Sequence, residues 1–138
     1  MQKSSLYHDH SRRPHFVQYH NPDKMGGPYR RGTGSFRVVT NKAFDGIAGS
    51  YIWLVTGIGK PRRYFICQAF IADEVVAHSD PPFGFRVSGK IGSDYEVEIG
   101  HLNWFPELRR IMGNFAFGFQ SITDQRIISG LMQAVTNT

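Results

Sequence analysis

Short apolar runs alternate with turn-forming residues along most of the chain, which is typical of a strand-rich protein. Runs of strand length occur at residues 15–20, 35–40, 51–56 and 63–71. The last two are apolar over most of their length rather than alternating. This pattern predicts strands buried on both faces, either in a barrel or beneath a helix.

The segment Gly57-Ile-Gly-Lys-Pro61 separates the two most apolar runs. It resembles the start of a dinucleotide-binding fingerprint, but the third glycine and the following helix are missing. We therefore predict a plain hairpin turn, with Lys60, Arg62 and Arg63 at its tip.

Residues 85–99 alternate between apolar and polar positions, as expected of a half-exposed strand. We predict a hairpin here with residues 92–94 as its turn. The side chains of Glu96 and Glu98 would give this hairpin an acidic outer face.

Two helices are predicted after residue 105. The first begins near Pro106, which suits a first helical position, and ends at Gly113-Asn114. The second is capped by Thr123 or Asp124. Its apolar stripe consists of Ile127, Ile128, Leu131, Met132 and Val135.

This order of elements predicts an α+β fold, namely a small, partly open β-barrel with a short helix and a C-terminal helix packed at its edge. Residues 1–14, rich in Ser, His and Arg, are predicted to form a flexible basic arm. Residues 15–138 would then form a single domain.

Composition agrees with a compact domain that has many turns. The chain has 138 residues, of which 41% are hydrophobic, with 15 glycines and 7 prolines. Its single cysteine, Cys67, lies in an apolar run and is expected to be a buried, reduced thiol. We find no signal-peptide pattern and no apolar run of membrane-spanning length, so a cytoplasmic protein is expected.

Basic residues are concentrated in the first half of the chain. Residues 1–63 hold 11 Lys/Arg and 3 Asp/Glu, whereas residues 64–138 hold 5 and 8. A basic lobe interleaved with aromatic side chains favours a polyanion such as DNA or RNA as partner, because neutralised phosphates release counterions. A solvated basic face around ordinary core aromatics, or one that docks an acidic protein as an adaptor, fits the same pattern.

Catalytic chemistry has little support in the sequence. Cys67 lies within a predicted strand without a neighbouring base, and Asp73 and Glu74 lack the nearby lysine of a metal-dependent nuclease. His8 and His10 form the one pair with metal-ligand spacing, so a small metal-dependent enzyme or nuclease remains the alternative. We expect a non-catalytic protein without a metal or cofactor.

Base recognition needs an aromatic wall, amide or imidazole groups for the base edge, and cations for the flanking phosphates. The candidates for the pocket are Tyr19, His20, Asn21, Asn41, Trp53 and Trp104. The candidate cations beside it are Lys24, Arg30 and Arg31. Trp53 also has the neighbours of a core residue, Asn21 those of a turn, and Trp104 those of a residue that packs a helix onto a sheet.

Four segments resemble the EVE-like branch of the PUA superfamily: residues 16–26 (FVQYHNPDKMG), 36–42, 51–57 and 114–122. Such modules are small pseudobarrels, found alone or fused to nucleases and other defence proteins in prokaryotes. The resemblance implies a reader of DNA or RNA that holds an extruded or modified base. It also implies that Arg30, Arg31, Lys60, Arg62 and Arg63 face phosphates.

Overall fold

The computed structural model describes residues 13–22, 36–40, 46–77 and 84–136. These residues form a mixed α+β fold. In chain order its elements are β1 (His15–His20), β2 (Phe36–Thr40), β3 (Tyr51–Ile58), β4 (Arg63–Ile71), β5 (Glu74–Ala77), β6 (Phe85–Gly89), β7 (Ile91–Glu98), α1 (Phe105–Ile111), β8 (Phe119–Ile122) and α2 (Gln125–Thr136). Most of the predicted arm at residues 1–14 lies outside the described ranges.

A five-stranded sheet with the order β7-β4-β3-β1-β8 is the centre of the molecule. β1 and β3 are parallel, and the other neighbours are antiparallel. The strands predicted at residues 15–20, 51–56 and 63–71 are confirmed, as is the turn that joins β3 to β4. The sheet therefore brings the end of β1 close to the β3–β4 turn.

A second sheet has three strands in the order β2-β6-β5. The predicted hairpin at residues 85–99 is wrong, because β6 pairs with β2 and β5 whereas β7 pairs with β4. Gly92 lies inside β7 rather than in a turn. A Cβ atom there would lie 2.6 Å from the carbonyl oxygen of Ala69, so the glycine permits close strand approach.

The two sheets are joined by one bent, two-stranded ribbon. β4 continues into β5 and β6 continues into β7, and each pair of strands bends between the sheets at Asp73 or Lys90. The bend is held by a hydrogen bond from the Asp73 backbone N–H to the Ser88 carbonyl (2.7 Å) and one from the Lys90 N–H to Asp73 Oδ2 (2.8 Å). The ribbon gives the three-stranded sheet its position over one face of the larger sheet.

Each face of the five-stranded sheet has its own core. The inter-sheet core includes Phe16, Val38, Ile52, Leu54, Phe70, Val87 and Phe119. The helix-side core includes Val17, Tyr19, Trp53, Ile66, Leu108, Phe115, Ile127 and Leu131. Burial of β3 and β4 on both faces confirms the prediction made from their continuous apolar runs.

Both helices pack on the same face of the five-stranded sheet. α1 has Pro106 in its first turn, and Gly113, with φ of 60°, follows its end, as predicted. Asp124 caps α2, since its Oδ1 accepts hydrogen bonds from the backbone N–H of Arg126 (2.9 Å) and Ile127 (3.3 Å). The predicted apolar stripe of α2 is buried.

The described strands form two open sheets, and their pairing does not close a barrel. Among the described helices, none is both long and apolar enough to cross a membrane.

Candidate nucleic-acid interface

The end of β1 meets the β3–β4 turn at one end of the five-stranded sheet. Tyr19 and Arg62 are 43 positions apart, yet Arg62 Nη1 donates a hydrogen bond to the Tyr19 hydroxyl at 3.2 Å. One residue further along β1, the His20 carbonyl accepts a hydrogen bond from Thr56 Oγ1 at 2.9 Å. Two predicted site residues of β1, Tyr19 and His20, thus lie at the strand end beside the arginine-bearing turn, and Asn21 follows directly after the strand.

Gly57 makes the contact between Tyr19 and Arg62 possible. A Cβ atom at position 57 would lie 2.5 Å from the Tyr19 hydroxyl and 2.6 Å from Arg62 Cδ, closer than real side chains approach. A glycine within an apolar strand indicates such close approach. The first glycine of the 57–59 pair therefore has a packing role and needs no nucleotide to explain it.

A groove of about 460 Å³ opens between the β3–β4 turn and the start of α1. We call it the arginine groove, and its lining includes Arg62, Arg63, Tyr64, Glu98, His101, Phe105 and Arg109. Its volume lies within the range of about 300–1,000 Å³ that is usual for small-molecule sites. Three guanidinium groups against one carboxylate give the groove a positive balance.

Packed aromatic rings support the arginine groove. The centroid of the Tyr64 ring lies 4.9 Å from that of Phe105 and 5.2 Å from that of Phe115. Phe115 in turn stacks on Tyr19, with 4.5 Å between centroids. The lining residue Tyr64 is thereby fixed by contacts to α1, to β1 and to the loop after α1.

Arg109 is held over this aromatic cluster. Its guanidinium carbon lies 5.7 Å from the centroid of the Tyr64 ring, and its Nε donates a hydrogen bond to Asn114 Oδ1 at 2.5 Å. Asn114 and Phe115 have positive φ angles of 57° and 67°, which is uncommon for residues other than glycine and costly for a bulky one. This backbone conformation places the Asn114 amide beside Arg109 and the Phe115 ring in the core.

Arg63 and Glu98 form an ion pair across the groove. Arg63 Nε and Nη2 donate to the two Glu98 oxygens at 3.0 and 2.7 Å. Hydrogen bonding from Arg63 lowers the pKa of Glu98, so this carboxylate is charged at neutral pH. At Tyr19, burial raises the pKa of the phenol, although the hydrogen bond from Arg62 opposes this shift.

Both tryptophans lie in the helix-side core in this structure. Trp53 is 0% exposed, and its Nε1 donates a hydrogen bond to His15 Nδ1 at 3.0 Å. Trp104 is 6% exposed and packs against Gly130 of α2, in keeping with a residue that packs a helix onto the sheet. Neither indole, as placed, presents an open face for stacking.

The remaining predicted site residues are spread between the described and undescribed ranges. Lys60 is exposed in the β3–β4 turn, and Asn21 is half-buried after β1. Asn41, Lys24, Arg30 and Arg31 lie outside the described residues. Predictions about these four side chains stay predictions.

Seven lining residues of the arginine groove are absent from the sequence-based list: Tyr64, Glu98, Gly100, His101, Phe105, Pro106 and Arg109. Arg109 follows an apolar position of the predicted first helix and His101 precedes that helix, and no local pattern indicates that they approach the β3–β4 turn. Tyr64 directly follows Arg62 and Arg63, so the aromatic residue at the end of this basic pair was the one available signal.

Metal and nucleophile chemistry find no support in the part of the chain that the structure describes. No group of three or more His, Cys, Asp or Glu side chains there could hold a metal ion. His8 and His10 fall outside that part. Cys67 is buried, and burial raises the pKa of its thiol, which disfavours the reactive thiolate.

No family model, curated protein or solved structure matches this chain.

Proposed function

We propose that the protein is a non-catalytic nucleic-acid-binding module that holds the phosphate backbone of DNA or RNA in the arginine groove. The observation that carries this proposal is the convergence of Arg62, Arg63 and Arg109 on one groove with an aromatic floor. Guanidinium groups match phosphate geometry with two parallel donors, and they bind without losing charge at neutral pH.

The charge distribution of the sequence supports the same partner. The excess of basic residues at positions 1–63 includes Lys60, Arg62 and Arg63, which are exposed in or beside the β3–β4 turn. A basic surface of this kind speeds the encounter with a polyanion and strengthens binding at low salt.

The finer proposal concerns the base. An extruded or modified base would lie beside the end of β1, where His20 and Asn21 follow Tyr19 in the chain and could offer imidazole and amide groups. Half-burial of both residues leaves part of each side chain accessible. Asn41, Lys24, Arg30 and Arg31 stay in the proposal as additional contacts, on the sequence argument alone.

The protein family and the cellular context are also proposals, and they rest on the sequence resemblance. We propose an EVE-like module of the PUA superfamily, a partly open pseudobarrel in which the bent ribbon joins the two sheets. The reduced, buried thiol of Cys67 is compatible with the cytoplasm. A nuclease or another defence protein is the protein partner that the resemblance favours.

Replacing Arg62 and Arg63 together with Ala tests the phosphate-binding role. We expect weaker binding to single-stranded and duplex oligonucleotides of every sequence, with a salt dependence flatter by about 0.7–0.9 per lost phosphate contact. Binding is measured by fluorescence anisotropy at about 50 and about 200 mM salt.

The double variant Arg110→Ala with Arg126→Ala is the matched control. It removes two exposed arginines of the helices that are not among the groove-lining residues. Equal weakening by both double variants would show that net charge alone attracts the ligand. Absence of binding by the wild-type protein at low salt would contradict the proposed function.

A further inference from the structure

Glu98 is an acidic side chain inside an otherwise basic groove. Its two oxygens accept hydrogen bonds from Arg63 Nε and Nη2, which lie side by side on the guanidinium group. This two-bond arrangement is the same one that Arg uses for a phosphate group. Glu98 therefore occupies the donors that a nucleic-acid phosphate would need.

The ion pair between Arg63 and Glu98 is also exposed enough for a competing anion to break it. The Arg63 side chain is 64% exposed and that of Glu98 is 34% exposed, so water and salt weaken their attraction. The Arg63 guanidinium also lies over the Phe65 ring, 5.4 Å from the centroid, a contact that does not involve Glu98. A competing phosphate would find the arginine close to its present position.

We propose that Glu98 is an internal competitor for Arg63 that sets the selectivity of the arginine groove for ligands with several linked phosphates. This proposal rests on the proposed nucleic-acid-binding function. An isolated phosphate must displace Glu98 by itself. A phosphate in a nucleic-acid strand is held near Arg63 by contacts of its neighbours with Arg62 and Arg109, which raises its effective concentration there.

The variant Glu98→Gln tests this role, because glutamine keeps the size of the side chain and removes its charge. The control is Glu107→Gln, which breaks an equivalent pair on α1. Arg110 Nε and Nη2 donate to Glu107 at 2.7 and 2.5 Å, and neither residue is among those that line the groove. Both variants change the net charge by the same amount, and thermal melting confirms that each is folded.

The first readout is binding of a labelled oligothymidylate of about 15 nucleotides. We expect Glu98→Gln to bind about three- to tenfold more tightly at low salt, with a salt dependence steeper by about 0.7, the value of one added phosphate contact on a single strand. Glu107→Gln should match the wild-type protein in salt dependence.

The second readout is stabilisation by inorganic phosphate in thermal melting. We expect a rise in Tm for Glu98→Gln and none for the wild-type protein or Glu107→Gln. An unchanged salt dependence in Glu98→Gln would overturn the competitor role. Weaker oligonucleotide binding by this variant would also overturn it and would show that Glu98 positions Arg63 instead. The proposed function fails separately, if the wild-type protein does not bind the oligonucleotide at low salt.

Discussion

At the scale of single residues, His15 and Trp53 form a buried pair joined by a hydrogen bond. His15 is 1% exposed, stacks on Tyr51 with 4.7 Å between centroids, and accepts the Trp53 indole hydrogen bond at Nδ1. A neutral imidazole that accepts at Nδ1 carries its proton on Nε2, so the contact also fixes the tautomer. The pair stabilises the start of β1 against β3, at the opposite end of the strand from the proposed site.

The variant Trp53→Phe separates a core role from a pocket role for this tryptophan. We expect a loss of about 1–3 kcal/mol of unfolding free energy from the unpaired His15 nitrogen, with a further loss from the cavity. Urea unfolding followed through Trp104 fluorescence measures the change. Replacing His15 with Phe in the same protein should recover part of the loss, because the Nδ1 atom left unpaired by Trp53→Phe is then gone as well.

The opposite result for Trp53→Phe would support a role for Trp53 in the binding pocket. Stability equal to that of the wild-type protein, together with lost discrimination between modified and unmodified oligonucleotides, would contradict the core role.

At the scale of elements, the contact between α1 and α2 depends on a residue without a side chain. Gly130 lies in the interior of α2, where glycine weakens a helix, yet a Cβ atom there would overlap the indole of Trp104. The glycine thus accommodates the tryptophan that precedes α1. This contact helps to fix the position of α1, which carries Arg109 to the arginine groove.

We expect Gly130→Ala to destabilise the protein by about 1–3 kcal/mol through overpacking, although alanine is the better helix former. The control Ser129→Ala, at an exposed position of the same helix, should leave stability equal or slightly higher. Thermal melting of both variants gives the comparison. A Gly130→Ala variant more stable than the wild-type protein would show that Trp104 moves aside without cost.

Periodicity predicts an element well when its burial is uniform over several residues. The continuous apolar runs of β3 and β4 and the helical stripe of α2 predict these elements close to their observed bounds, as does the strand-length run of β1. β5 and β8 have only four residues each, too few for a pattern to be recognised. Gly92 resembled a turn residue because sequence alone does not distinguish a turn from close strand approach.

The candidate site was predicted only in part, for a related reason. Arg62 and Arg63 follow from the β3–β4 turn, which is local in sequence. Glu98 and Arg109 reach the same groove through the pairing of β4 with β7 and through the packing of α1. These are tertiary contacts between segments that are distant in sequence, so no local pattern of residue types predicts them.

At the scale of the whole molecule, protection from solvent is graded across the two sheets. β3 is buried along most of its length, between β1 and β4 and between the two cores. β5 is an edge strand of the smaller sheet with three of its four residues exposed. Local opening should therefore cost much more free energy at β3 than at β5.

Native-state hydrogen exchange tests this gradient. We expect the amides of residues 52–56 in β3 to exchange only through global unfolding, and those of residues 74–77 in β5 to exchange through local opening at much lower free energy. Exchange rates are followed by NMR or by mass spectrometry of peptides. Equal protection of the two segments would show that the bent ribbon opens together with the central sheet.

The place of β1 between β3 and β8 has a consequence for biosynthesis. A ribosome makes β1 before every other described element, but its two neighbours in the sheet follow about 30 and about 100 residues later in a chain made at about 5–20 residues per second. The helix-side face of the nascent sheet receives α1 only after β7 has been made, and α2 only after β8. During that interval the apolar side chains of β1, β3 and β4 are open to chaperones, so expression yield should depend on chaperone supply more than the stability of the finished protein does.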